Sequence, residues 1–337
     1  MRKTFLGKRH NTCPPHWDKQ IGGNPFLHSS VLNAARHSDT PFYYVTHRSY
    51  ICCEYKSKLN LFTFGKLRLE IPMTVVGLPA SFDMPGCSGN IRELIADYQK
   101  RAGLFLLLNL LPGESLPKGV ASGETLGACI FQNPFASFEE YLDCLRSGYR
   151  RRVKTALEKG GKLQLKRITP QEFSDATHRL YLNVLNRSQY PLETLKKEFF
   201  QEIGCEIYAF YHGDVQMAFF CLSQHGEGLH FLFGGMDYAQ RDRFDLYCNM
   251  LLAIIRIGIE KGCSSIDFGQ TAEDLKCKLG CKIEKRYMAA FSRYRSVNLL
   301  LLLLSPLLQY RCRDYSYRVF KDPAILRNPD VRGLHGL

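Results

Sequence analysis

The 337-residue sequence predicts an α/β fold with a mixed sheet, on three observations. The stretch "CEIYAFYHGDVQMAFFCLSQHGEGLHFLFGGMD" alternates apolar runs with turns at His212-Gly213-Asp214 and His225-Gly226-Glu227-Gly228, the pattern of two antiparallel hairpins in series. "FDLYCNMLLAIIRIGIEKGC" follows as a helix with a broad apolar stripe and leads through Gly262 into the short strand "SSIDFG". Upstream, "LFLLLNLL" (104–111) is a continuous apolar run, as expected of a strand buried on both faces.

The other elements fall between these. "NPFLHSSVLNAARHS" opens the ordered chain, with Phe26, Leu27, Val31 and Leu32 on one helical face. Short β-type runs at 42–47, 49–55 and 67–77 precede a Gly/Pro loop and a helix at "IRELIADYQKRAG". The stretch 112–125 reads as a polar, Gly-rich loop, and 126–133 as a strand that closes this half. Ser137 and Glu140 have capping-box spacing before Phe138, Tyr141, Leu142 and Leu145. A very basic helix, "YRRRVKTALEKGG", ends at paired glycines, the alternating strand "KLQLKRI" follows, and two further helices meet near Tyr190-Pro191. After "SSIDFG" come a helix and a last strand, "RYMAAFSRY". The expected organisation is a tail over 1–23, one half over 24–136, a second over 137–295, and an apolar segment with a basic tail over 296–337.

Composition narrows the function classes. The chain is 45% hydrophobic and 23% charged, which excludes a disordered protein. A formal charge of +13 points to anionic partners, and no nucleic-acid-reading motif accompanies it. Thirteen cysteines without paired CxxC or HxxxH spacing exclude a zinc site and read as small buried thiols in a reducing cytoplasm. "VNLLLLLLSPLLQY" (297–310) is shorter than the ~20 apolar residues a spanning helix needs. A buried helix is the first reading of it; a helix lying in a membrane interface beside the basic "RCRDYSYRVFK" is the second.

Three stretches carry a family resemblance: "SFEEYLDCLRSGYRRRVKTALEKGG", "HFLFGGMDYAQRDRFDLYCNMLLAIIRIGIEKG" and "IDFGQTAEDLKCKLG". With the three antiparallel strands, the helix and "SSIDFG", they resemble the core of the GNAT (general N-acetyltransferase) superfamily, in its FemAB-like branch. The likeness covers residues 24–295 and is strongest after 137. It implies two GNAT-like halves in tandem, the first degenerate. It also implies acyl transfer to an amine from a thioester (acyl-CoA, acetyl-CoA or a carrier protein), or from aminoacyl-tRNA in peptidoglycan-building members. The implied acceptor is a small-molecule, lipid or cell-wall amine, and the implied location is the cytoplasm or the inner face of the membrane. No metal is implied. One departure matters: where many GNAT enzymes have a Gly-rich pyrophosphate loop, this chain has "YAQRDRFD", without glycine, and with the apolar 297–310 this leaves a non-catalytic membrane-surface binding module as a third reading.

Candidate site residues follow from both readings. Arg150, Arg151, Arg152 and Lys154 form a cation cluster suited to phosphate or to a solvated face, and helical spacing lets at most half of it face one ligand. Arg241 and Arg243 sit where the cofactor loop is expected, with Asp242 and Asp245 able to neutralise them. Asp267 lies on the opposite strand face from Ile266 and Phe268; it is a candidate to orient or deprotonate an amine, or, as is commoner for a single buried Asp, to tie down a neighbouring Arg or Lys. Gln270 and Thr271 follow at the strand end, Thr271 also as a helix cap, and Lys276 lies within reach of a phosphate. Glu273 is a candidate acid–base group and Tyr238 a candidate donor to a leaving thiolate; His230, in an apolar strand, reads as a core histidine.

Overall fold

The structure is a computed structural model that describes residues 6–60, 70–188, 193–322 and 325. In chain order, β1 (Lys8–His10) and α1 (Ser29–Ala35) precede β2 (Phe42–Thr46), β3 (Tyr50–Asn60), β4 (Glu70–Val76) and β5 (Cys87–Gly89). Asn90 caps α2 (Ile91–Tyr98) by accepting from the Glu93 amide, and β6 (Leu104–Leu110) and β7 (Ala121–Gln132) follow. β7 begins five residues before the apolar stretch at 126, because its first part is polar and half-exposed. Ser137 caps α3 (Phe138–Cys144) through the Glu140 amide at 3.1 Å, while the Glu140 carboxylate accepts from the Ala136 amide at 2.7 Å. Next come α4 (Ser147–Lys159), β8 (Gln164–Ile168), α5 (Asp175–Leu185) and α6 (Lys197–Glu202). The predicted hairpins are β9 (Glu206–His212), β10 (Val215–His225) and β11 (Gly228–Met236), turning at Gly213 and Gly226, both with positive φ. The chain finishes with α7 (Arg241–Phe244), α8 (Leu246–Glu260), β12 (Ser265–Asp267), α9 (Glu273–Lys278), β13 (Lys282–Ser292) and α10 (Arg295–Leu308).

Two compact units interleave along this order. The first gathers 1–127, 192–203 and 285–313. Its strands run β1-β2-β3-β4-β6-β13, all antiparallel neighbours except the parallel pair β4 and β6, with β5 beside β3. Leu94 and Ile95 of α2 pack with Val76, Phe105, Leu107 and Phe291 in its core. β6 is not buried on both faces: Phe105, Leu107 and Leu110 are covered while the residues between them are half-exposed.

The second unit gathers 128–191, 204–284 and 314–337. Its strands run β7-β12-β11-β10-β9-β8, antiparallel except for β11 and β12. α8 lays Leu251, Ile254 and Ile255 on Phe220, Leu222, Leu229 and Ile266. The helix comes so close that a Cβ at Gly258 would lie 2.4 Å from Ile266 Cδ1. On β11, a Cβ at Gly235 would lie 2.5 Å from the Tyr181 amide nitrogen, so glycine lets the α5 backbone approach the strand.

α10 corrects the first reading of 297–310. Leu301 is buried, but Leu299, Leu300, Leu303 and Leu307 are 55–69% exposed. All thirteen cysteines are free, ten of them buried, as small core residues are.

Candidate functional site

The second unit contains a strand pair that parts. β11 and β12 pair in parallel only at Gly228↔Ser265, Leu229↔Ile266 and His230↔Asp267. Beyond that point the two chains follow different neighbours. Phe268 and Gly269 stay on the β7 side, where the Phe268 amide donates to the Cys129 carbonyl at 2.9 Å and the Cys129 amide to the Gly269 carbonyl at 3.0 Å. β11 continues to Met236 along β10. A bulge lies at the parting: Leu222 faces Phe231 and Cys221 faces Phe233, which leaves Leu232 as the extra residue. Bulges bend a strand and end regular pairing, so Leu232 and the short β12 together open a wedge at the carboxyl ends of two parallel strands. That is the place where open α/β sheets expose main-chain groups to ligands.

Asp267 stands at the apex. It is 8% exposed, and its Oδ1 accepts from the Gly269 amide at 2.7 Å, so one carboxylate oxygen shapes the turn that leaves the strand. Its Oδ2 is 3.9 Å from His230 Nδ1. Burial, and then the neighbouring His225, push the His230 pKa down to about 4, so the imidazole facing this carboxylate is neutral at pH 7. His225 Nε2 in turn meets Ser223 Oγ at 2.8 Å, and its ring lies 5.7 Å from that of His230. His230 is therefore no isolated core histidine. Only the strand register, which puts it opposite a residue 37 positions away, reveals this.

The loop after Asp267 is held in an unusual shape. Gly269, Thr271 and Ala272 all have positive φ, at 66°, 63° and 50°. Two of these carry side chains, and such backbone persists only where its surroundings impose it. Lys276 imposes it: 2% exposed, its ammonium donates to the carbonyls of Phe268 (2.6 Å), Gly269 (3.2 Å) and Gln270 (2.9 Å). Lys276 thus acts on the rim through the backbone that it gathers. Glu273 is buried beside it in the first turn of α9. Thr271 does not cap α9; the cap position is Ala272, whose side chain has nothing to offer the free amides. Gln270 and Thr271 lie in this loop, half-buried and exposed respectively.

The cations are more dispersed. Arg150 is bound to Asp143 at 3.0 Å, whereas Arg151 and Arg152 are exposed on α4. Arg241 forms a two-pronged pair with its neighbour Asp242 at 2.8 and 3.3 Å, and Arg243 reaches Gln240 at 3.4 Å. Local carboxylates thus take much of this charge, as the sequence allowed. Tyr238, just past β11, lies beneath the Arg187 guanidinium, 4.1 Å from its ring centroid. Arg187, at the end of α5, had no sequence signal to place it there. Among the described residues no group of His, Cys, Asp and Glu is arranged to hold a metal.

Residues 145–277 match the acetyltransferase (GNAT) domain family. No curated protein matches the chain. Among solved structures, the chain resembles L-PGS from Bacillus licheniformis at TM-score 0.54 and 13% identity, covering 88% of this chain and 97% of that one. It resembles the C-terminal domain of a putative lysylphosphatidylglycerol synthetase from Agrobacterium fabrum at TM-score 0.50 and 10% identity, covering 83% and 92%. FemX gives TM-score 0.50 and 10% identity, covering 87% and 100%. Residues 145–277 therefore resemble a GNAT acetyltransferase domain. The fold of the chain as a whole is similar to those of L-PGS and FemX.

Proposed function

We propose that the wedge between β11 and β12 holds an activated acyl donor and an amine acceptor, and that the protein moves the acyl group from a CoA or carrier-protein thioester to that amine. The observation that carries this reading is the parting of the two strands after His230↔Asp267. Main-chain groups along Leu232–Gly235 offer hydrogen bonds to the donor's amide-rich arm and polarise the thioester carbonyl. Holding both reactants in one cleft supplies much of the rate. The amine attacks the carbonyl carbon, the C–S bond breaks, the amine's proton passes to Asp267 directly or through water, and Tyr238 protonates the departing thiolate. Lys276 keeps the loop in shape, Glu273 is a further acid–base group beside it, Gln270 and Thr271 form its rim, and Arg150, Arg151, Arg152, Arg241 and Arg243 supply the outer positive field for donor phosphates. The acceptor is a small-molecule, lipid or cell-wall amine.

A second donor has specific support. The stretch Tyr238–Asp245 contains no glycine and Arg241 is paired with Asp242, both of which weaken a pyrophosphate cradle there. That favours aminoacyl-tRNA, the donor implied by the FemAB resemblance, and the lipid product named for the Agrobacterium neighbour favours a lipid acceptor. Thermal-shift titration separates the two: stabilisation by acetyl-CoA and longer acyl-CoAs supports the thioester, and stabilisation by charged tRNA alone supports the second donor. Asp267→Asn keeps an oxygen for the Gly269 amide, so it is expected to preserve stability and donor binding while abolishing transfer. Intact turnover with a sharp fall in stability makes Asp267 a structural residue only.

A further inference from the structure

α10 presents a row of leucines to solvent. Leu299, Leu300, Leu303 and Leu307 recur at helical spacing on the solvent side, with exposures of 60%, 55%, 69% and 69%. The helix is nonetheless fixed to the first unit. Asn298 Oδ1 accepts from the Ser292 amide at 2.7 Å, its Nδ2 donates to the Ser292 carbonyl at 2.9 Å, and Leu301 is buried. At the other end Gln309 Oε1 accepts from the Glu124 amide at 3.3 Å. The leucines are thus displayed by a docked helix that is apolar on both sides, with Leu301 buried and Leu304 and Leu308 half-buried on the covered one.

The flanks indicate what covers them. From Arg293 to Arg313 the sequence carries Arg293, Arg295, Arg311 and Arg313 and no carboxylate. All four arginines are exposed, two at each end of the helix, and Tyr294 beside the first pair is 54% exposed. Leucines between terminal arginines and tyrosine match the depth profile of a bilayer surface, with apolar side chains among acyl chains and basic and aromatic groups at the headgroups. A second copy of the chain fits less well. Two-fold pairing of these helices sets arginine ends together with only Asp314 and Glu124 near the C-terminal pair, whereas anionic headgroups neutralise all four. At about 21 Å the helix lies in the surface and does not span it; no helix among the described residues is long and apolar enough to cross a membrane.

We propose that α10 seats the protein on an anionic lipid surface, with Leu299, Leu300, Leu303 and Leu307 in the acyl boundary and the four arginines on headgroup phosphates. This docking is independent of the donor chemistry in the second unit. The test is sedimentation of the full chain with phosphatidylcholine vesicles, with and without about a third phosphatidylglycerol. The protein is expected to sediment with the anionic vesicles, to be released from them by salt, and to stay largely in the supernatant with neutral ones. The combined variant Leu299→Gln, Leu303→Gln, Leu307→Gln is expected to bind about tenfold or more weakly with its melting temperature unchanged or raised. Arg293→Gln with Arg311→Gln is expected to remove the preference for anionic lipid. Failure to bind either vesicle, or undiminished binding of the leucine variant, overturns the proposal. So does a dimer in light scattering that the leucine variant dissolves without any vesicle binding, which assigns the face to a second copy.

Discussion

The two units bury charge in opposite ways. In the first, Glu54 is fully buried and closed within its own network: Arg9 at 2.6 Å, Arg101 at 2.6 and 3.2 Å, and the Tyr98 hydroxyl at 2.6 Å. Burial works against this carboxylate, but the hydrogen bonds from Arg101 and Tyr98 and the arginine charges outweigh it and lower the pKa. Asp97 similarly gathers the Leu6 and Gly7 amides, the Tyr50 hydroxyl and Lys100. In the second unit the buried Asp267 and Lys276 are turned on the backbone, and both shape the loop at which β12 leaves β11. Charge closes the architecture in one unit and sculpts an opening in the other.

The largest expected effect is in the first unit. Glu54→Gln strands Arg101 and Arg9 against a buried amide and is expected to lower stability by about 3–5 kcal/mol in chemical denaturation. Donor-induced thermal shift should survive; its selective loss breaks the contrast. Next is a pH effect at the apex. His230 titrates near 4 when folded and near 6.5 when unfolded, so between these values the unfolded chain takes up the extra proton. Stability is then full above pH 6.5 and falls by about 3 kcal/mol as pH drops towards 4. His230→Gln should flatten that part of a stability–pH curve, and an unchanged slope refutes the assignment.

Lys276→Met leaves three carbonyls without their ammonium. A stability loss of about 2 kcal/mol is expected, together with a donor-induced shift reduced to background. Normal donor response in this variant separates the loop from the site. The smallest effect is at Ala272, where glycine relieves a left-handed residue. Ala272→Gly is expected to stabilise by about 1 kcal/mol while weakening the donor response severalfold. Improvement in both means that the loop's shape serves no ligand.

These features differ in how far the sequence discloses them. The β9–β11 hairpins are plain because glycine turns and alternation are local signals, and the α8–β12 passage is plain because a broad apolar stripe ends at Gly262. β7 begins earlier than its apolar run because a half-exposed strand start has loop-like composition. The leucines of α10 are visible as apolar, but composition does not say which face is covered. Lys276 reads like any lysine near a strand end until three carbonyls converge on it. The facing of His230 by Asp267 and the stacking of Arg187 on Tyr238 depend on register and helix placement, which no short window contains.

Amide hydrogen exchange of the full chain, with and without saturating donor, tests the wedge most directly. The donor is acetyl-CoA, or charged tRNA where that is the ligand that stabilises the protein. New protection is predicted at those amides of Leu232–Met236 that do not bond to β10 and across 270–272, with no change at Gly228–His230, where β11 is already paired with β12, nor at Phe268 and Gly269, whose amides already have acceptors. Protection confined to the first unit, or spread evenly over both strands, would contradict a binding site between β11 and β12.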